Sequence, residues 1–152
     1  MVYVTDENDN APILEKTEYL FKLKENSPFG QVVGRVSATD VDLGRNAELT
    51  YKFATENELF TIDEQTGFIS AIKVIDREVL AQTSFDLEVI VSDLGLVSKS
   101  TIANVIIVIT DENDNSPQFN KDLYEATISE DAKIGEYRLK TSKQIEINMN
   151  SL

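Results

Sequence analysis

The stretch Ala103-Asn104-Val105-Ile106-Ile107-Val108-Ile109-Thr110-Asp111-Glu112-Asn113-Asp114-Asn115-Ser116-Pro117 joins two kinds of chain. Its first half sets Ala103, Val105, Ile107 and Ile109 on one face of an extended strand, because successive strand side chains point to opposite faces. β-Branched residues dominate it, and they suit a pleated, half-buried surface. The second half is acidic, carries two Asn and ends in Pro, so the strand runs directly into a linker. An earlier copy of that linker exists. Thr5-Asp6-Glu7-Asn8-Asp9-Asn10-Ala11-Pro12 matches Thr110-Asp111-Glu112-Asn113-Asp114-Asn115-Ser116-Pro117, with Asp6 and Asp111 105 residues apart. That period approaches a whole small domain and exceeds ordinary helical solenoid units, so the chain reads as domains joined by acidic linkers. A weaker echo follows each copy: Tyr19 to Asn26 resembles Tyr124 to Asp131, with Glu25 and Glu130 again 105 apart.

Working inward from the linkers, Phe85, Leu87, Val89 and Val91 alternate with Asp86, Glu88, Ile90 and Ser92, the period of a half-buried strand. Shorter strands are expected near 19–24, 31–38, 49–53, 60–62 and 68–75. Turns at Ser27-Pro28-Phe29-Gly30, Leu43-Gly44-Arg45-Asn46 and Glu64-Gln65-Thr66-Gly67 separate several of them. With the two long strands this makes seven, and the expected fold is all-β: a seven-stranded, antiparallel Greek-key β-sandwich of Ig-like type. The Cys pair and core Trp of true immunoglobulin domains are missing. No amphipathic helix of useful length is expected.

The composition narrows the chemistry. With 27 acidic and 14 basic residues the net charge is -13, which repels nucleic acid and anionic membrane surfaces and favours cations as partners. Neither Cys nor His is present, so thiolate and imidazole ligands are excluded, as is the usual general base. The remaining metal ligands are oxygens, which suit hard calcium rather than zinc. No apolar run of about 18 residues occurs, so neither a membrane span nor membrane contact by this segment is expected.

Acidic clusters that an apolar core could not take in are spread between the linkers: Glu25, Asp40-Val41-Asp42, Asp76-Arg77-Glu78, Asp93 and Asp111-Glu112-Asn113-Asp114-Asn115. Each alone reads as a solvated turn or a local ion pair. In joint order, closed by two copies of the linker, they resemble the set that marks cadherin repeats, and the pattern covers residues 12 to 117. An EF-hand is excluded, since Asp111, Asn113 and Asn115 would be followed by Ser116 where that loop needs Gly, and by Asp122 where it needs Glu.

The resemblance implies structural calcium between consecutive repeats. It assigns Glu25, Asp76, Glu78, Asp111 and Asp114 side chains, with the Glu112 backbone carbonyl, to a cluster at the C-terminal end of the complete repeat. At the other end it assigns Asn8, Asp40, Asp42 and Asp93 with the backbone carbonyls of Asn10 and Asn46. Asn113 and Asn115 would serve the next junction, and Glu130 would open the next repeat's own cluster. The implied organisation is the end of a preceding repeat and its linker in 1–11, a complete repeat in 12–117, the start of a truncated repeat in 118–136, and an atypical, partly disordered tail in 137–152. Asp6 and Asp9 would lack their Glu and Asp-Arg-Glu partners.

The absence of Trp sets the chain apart from members that adhere by exchanging an N-terminal Trp, and makes it closer to protocadherin-like or Fat-like ectodomains. The implied function is calcium-dependent cell-cell adhesion in the extracellular region of a plasma-membrane protein. Its partners would be other cadherin ectodomains, homophilic or heterophilic. Two rivals stand beside it. One is a metal-free β-sandwich interaction module, in which the charge serves solubility. The other is an enzyme such as a two-carboxylate glycosidase, for which no nucleophile and base can be named; the chain is expected not to be an enzyme.

Overall fold

The computed structural model describes residues 1–116 except Val4. The chain divides into two compact units, Met1–Glu112 and Asn113–Leu152, and the sandwich belongs to the first. Its strands are β1 (Ile13–Leu14), β2 (Glu18–Lys24), β3 (Val32–Arg35), β4 (Ala38–Thr39), β5 (Leu49–Phe53), β6 (Phe60–Ile62), β7 (Phe68–Ala71), β8 (Ser84–Asp93) and β9 (Ser100–Thr110). A four-stranded sheet has the order β2-β9-β8-β5, a three-stranded sheet the order β3-β7-β6, and β1 pairs with β4. Among the described residues the only helical turns are the 3-10 segments Gly44–Asn46 and Arg77–Val79.

The two long strands form where the period-2 pattern is strongest. They pair antiparallel over nine positions from Ser84↔Val108 to Ser92↔Ser100. Val89, Val91, Ala103, Val105, Ile107 and Ile109 are all buried, so alternation along each strand decides which face meets the core. Tyr19, Leu23 and Tyr51 join them from the same sheet, and Phe60, Ile69 and Ala71 from the facing one. The Phe60 and Phe85 rings meet edge-on at 5.7 Å between centroids. Tyr19 buries its ring and keeps its hydroxyl satisfied against the backbone carbonyl and N–H of Ser37.

Three details depart from the sequence expectation. The strand expected over 31–38 is split into β3 and β4, since its two halves pair with β7 and β1 respectively. That expected over 68–75 stops at Ala71, and the chain then turns toward Asp76. Finally, β2 lies parallel to β9, from Glu18↔Asn104 to Lys24↔Thr110, within an otherwise antiparallel sheet. The expected truncated repeat in 118–136 and tail in 137–152 lie outside the described residues.

Parallel pairing fixes the geography of the molecule. β2 and β9 finish together, so Glu25 arrives beside Thr110 and Asp111, and the Glu25 N–H extends the ladder to the Thr110 carbonyl at 3.0 Å. β8 runs the other way and finishes with Asp93 at the opposite end. Since β9 has 11 residues, these two ends are separated by roughly 35 Å. They are called the upper end, where β2 and β9 finish, and the lower end, where β9 begins.

The core is expected to be intolerant of truncation. Ile107→Ala, at a fully buried position, should lower unfolding free energy by about 2–5 kcal/mol in urea titrations. Gly67→Ala should also destabilise, because Gly67 sits at φ 71 and an added Cβ would meet the Val36 carbonyl oxygen; roughly 1–2 kcal/mol is expected from the left-handed backbone alone.

Candidate metal centres

At the upper end the sequence places Glu25 immediately after β2, and the fold buries it at 1% exposure. Its carboxylate accepts two backbone hydrogen bonds, from the Glu112 N–H to Oε1 at 2.6 Å and from the Arg77 N–H to Oε2 at 2.8 Å. One side chain thereby ties β2 to the Asp76-Arg77-Glu78 turn and to the start of the linker. Those bonds hold its pKa below the ordinary value of 4.5, against the opposing effect of burial. Asp76 caps the 3-10 turn, its Oδ1 accepting from the Glu78 N–H at 3.0 Å. A carboxylate oxygen of Glu78 comes within 4.8 Å of one of Glu25, a proximity that calls for a cation or a shared proton.

Two cations of the protein itself already reach this end. Arg77 Nη1 lies 3.1 Å from Asp111 Oδ1 and 4.0 Å from Glu78 Oε1, and Lys24 Nζ lies 2.6 Å from Glu112 Oε1. The pairs are partly exposed, and such pairs contribute little in water. Glu112 thus spends its side chain on Lys24, which is compatible with the resemblance assigning only its backbone carbonyl. Asn113, Asp114 and Asn115 fall in the second compact unit, where the Asn115 amide donates to Asp114 Oδ1 at 2.8 Å. Glu130 lies outside the described residues.

The lower end is built by the first linker returning onto the β-sandwich. Asn8 Nδ2 donates to Asp93 Oδ1 at 3.1 Å and to the Val97 carbonyl at 2.9 Å. Asn10 donates twice to Asp42, from its backbone N–H to Oδ2 at 3.1 Å and from its side-chain amide to Oδ1 at 2.5 Å. The second bond is the main reason the Asp42 carboxyl lies below its ordinary 3.8. Asp40 Oδ1 accepts from the Asp42 N–H at 3.0 Å, a local turn made by the Asp-x-Asp spacing. Asp93, buried at 1% exposure, closes the β8–β9 connection by accepting from the N–H groups of Gly95 and Lys99.

Two oxygens at this end decide its chemistry. Asn8 Oδ1 and Asp40 Oδ2 are buried acceptors without a hydrogen-bond donor. Buried acceptors left so are uncommon, and each calls for an explanation such as an ion. Carboxylate and amide oxygens with no nitrogen or sulfur ligand form the donor set of a hard divalent cation, so the residues present fit calcium.

Hydrogen bonds bring Asn8 to Asp93 and Asn10 to Asp42 at this end, joining members of the expected lower set. The acidic clusters are not all solvated: Glu25, Asp42 and Asp93 are buried, at the ends of the sandwich rather than in its apolar core, because backbone N–H groups satisfy them. Asp6, expected to lack its Glu and Asp-Arg-Glu partners, is held by other groups. Its Oδ2 accepts from the Leu43 N–H at 3.0 Å and from Asn46 Nδ2 at 2.9 Å. The 105-residue correspondence with Asp111 was the available signal for Asp6. Gly95 was also missed; an added Cβ there would meet the Asn8 side chain, so only the bare glycine lets the linker amide seat.

Comparison with known proteins bears on the whole arrangement. The family model described as the cadherin domain matches residues 19–110. The chain belongs to the cadherin family. Its relatives include the protocadherin-like wing polarity protein stan of Drosophila melanogaster, 39% identical over 137 residues, or 89% of this chain and 4% of that protein. Human protocadherin-11 X-linked is 42% identical over 118 residues, covering 78% of this chain and 9% of that one. Among solved structures, protocadherin gamma B2 extracellular cadherin domains 3–6 matches with a TM-score of 0.73 at 30% identity, over 81% of this chain and 31% of that one. Mouse cadherin-23 EC22–24 matches with a TM-score of 0.69 at 32% identity, over 77% of this chain and 38% of that one. The chain thus spans a small part of the curated relatives it matches. The solved neighbours support the sandwich fold expected from the strand count, and the relatives support the protocadherin-like character.

In this cadherin repeat, the depressed carboxyls make acid sensitivity a direct expectation. Glu25 and Asp42 have folded pKa values below their ordinary 4.5 and 3.8, so the unfolded chain takes up protons first as the pH falls. Their contribution to stability is complete above those ordinary values and is lost as the pH drops through the depressed ones. Glu25→Gln should therefore lower the melting temperature at neutral pH, with the gap from the native chain closing below about pH 4. Thermal melts from pH 7 to pH 3 in EDTA would check this; a gap that stays constant with pH would contradict it.

Proposed function

We propose that this chain is an internal stretch of an extracellular adhesion protein, in which one complete repeat, residues 12–117, joins its neighbours through calcium-binding linkers. The observation that carries the reading is the pair of buried, donorless oxygens, Asn8 Oδ1 and Asp40 Oδ2, where the first linker meets the repeat. The lower ligand set is Asn8, Asp40, Asp42 and Asp93 with the carbonyls of Asn10 and Asn46. The upper set is Glu25, Asp76, Glu78, Asp111 and Asp114 with the Glu112 carbonyl, and Asn113 and Asn115 serve the following junction. Bound calcium supplies positive charge and fixed oxygen coordination, which together hold neighbouring repeats at one angle. The protein's own part is to pre-position the acids: Asn10 orients Asp42, the Gly95 and Lys99 N–H groups orient Asp93, and the Arg77 and Glu112 N–H groups orient Glu25.

The role is mechanical rather than catalytic. A series of stiffened repeats extends from a plasma membrane and presents adhesive surfaces to other cadherin ectodomains, homophilically or heterophilically. Extracellular calcium modules bind at about 10⁻⁴ to 10⁻³ M, so extracellular calcium keeps them filled.

A second reading, the metal-free interaction module, is favoured by the ion pairs that Arg77 and Lys24 already make at the upper end. Thermal melts in EDTA, in millimolar calcium and in millimolar magnesium separate the two. One site at ten times its dissociation constant adds about 1.4 kcal/mol, or roughly 5–10 °C for a domain of this size. Asp40→Asn keeps the oxygen that accepts from Asp42 while removing the charge. It should leave the EDTA melt nearly unchanged and shrink the calcium-dependent rise. Coincident melts in EDTA and calcium would reject the calcium reading in favour of the module.

A further inference from the structure

The loops that receive the first linker carry apolar side chains turned to solvent. Val41 and Leu43 precede the Gly44–Asn46 turn, and Leu96 and Val97 sit at the β8–β9 connection; Leu96 is 102% exposed and Leu43 70%. Hydrogen bonds gather these loops around the linker. The Leu43 N–H and Asn46 amide hold Asp6, the Val97 carbonyl accepts from Asn8, and Gly95 packs against Asn8 beside Asn46 Oδ1. Isolated apolar side chains on a surface need no explanation; four of them framing the point where the chain enters do.

We infer that these loops form a docking face for the body of the preceding repeat. The inference rests on reading the chain as one of a series of repeats. Three observations select that occupant over any other. The linker is clipped to these loops by side-chain and backbone hydrogen bonds made by the protein alone, so anything preceding Asp6 is tethered next to them. Between Tyr3 and Asn8 a fully extended chain spans no more than about 18 Å. Cadherin domains occur in series in a matching solved structure, that of protocadherin gamma B2 extracellular cadherin domains 3–6. The third is complementarity: the upper end of this repeat exposes Phe29, Val74 and Val79 around the Arg77–Val79 turn, and a preceding repeat of the same build would bring a like apolar end to these loops. An apolar upper end meeting an apolar lower end buries both and contributes stiffness separately from the ions.

The outer face of the four-stranded sheet supplies a control. Leu20 and Ile106 are also exposed there, yet they pair with each other in mid-strand, away from the linker. The test uses the longer protein containing this chain and its complete preceding repeat, with a fluorophore on each repeat and single-molecule energy transfer as readout. Leu43→Ser, Leu96→Ser and Val97→Ser combined should abolish the single narrow distance distribution seen in calcium, while calcium stoichiometry by titration calorimetry and the melting of the repeat stay near native. Leu20→Ser should keep the narrow distribution. A triple variant as narrow as the native protein overturns the inference. So does a native protein whose sedimentation shows self-association that the triple variant removes, since the occupant would then be a second copy. Should calcium produce no binding heat, the calcium reading fails on its own, and the same comparison of widths in EDTA still decides the docking face.

Discussion

The pairing of β2 with β9 is the constraint from which the rest of the molecule follows. Because the two strands run parallel and in register from Glu18↔Asn104 to Lys24↔Thr110, the first long strand of the repeat ends where the last one ends. Glu25 is thereby delivered to the linker that begins at Thr110, although 85 positions separate them in sequence. A backbone ladder transmits this proximity, and the Glu25 carboxylate then locks it by accepting from N–H groups of both the linker and the Asp76 turn. The same ladder, continued through the antiparallel β8–β9 pair, sends Asp93 to the other end. Two acidic centres about a strand length apart are therefore a consequence of topology, with the apolar core between them serving as spacer.

The burial of Glu25, Asp42 and Asp93 follows the rule that a charge leaves water only when hydrogen bonds replace its hydration. Each of the three accepts from at least one backbone N–H, so the loops at the two ends are organised around carboxylates as much as around hydrophobic contacts. This also distinguishes the ends. Below, direct bonds from Asn8, Asn10 and Asn46 bind the linker to the repeat, leaving Asn8 Oδ1 and Asp40 Oδ2 buried without a donor. Above, Arg77 and Lys24 offer partial neutralisation of Asp111 and Glu112. The linker acids are thus not simply unpaired charges awaiting metal; the fold gives them partners, and any ion enters an arrangement already made.

Much of the fold was legible from the sequence because alternation is a local signal. Val89 and Val91, and likewise Ala103, Val105, Ile107 and Ile109, had to face one way once the backbone was extended, and the core is made of those faces. The split of residues 32–39 into β3 and β4 was not legible, since Val32, Val33 and Val36 read equally well as one strand and only the choice of partners divides them. The parallel direction of β2 was hidden for the same reason: a strand's sequence records which face is buried, not which neighbour it lies beside.

For the candidate centres, the sequence by itself determined the cast: the repeated linker, the Asp-x-Asp and Asp-Arg-Glu clusters, and a chain with oxygen ligands but neither thiolate nor imidazole. Only the tertiary structure decided which residues meet. It joined Asn8 to Asp93 across 85 positions, gave Asp6 its partners in Leu43 and Asn46, and required a residue without a side chain at Gly95. Residue type and spacing are written along one dimension and can be read there. Burial and hydrogen-bond satisfaction depend on which distant segments the sheet brings together, and that is settled only when the strands have chosen their neighbours.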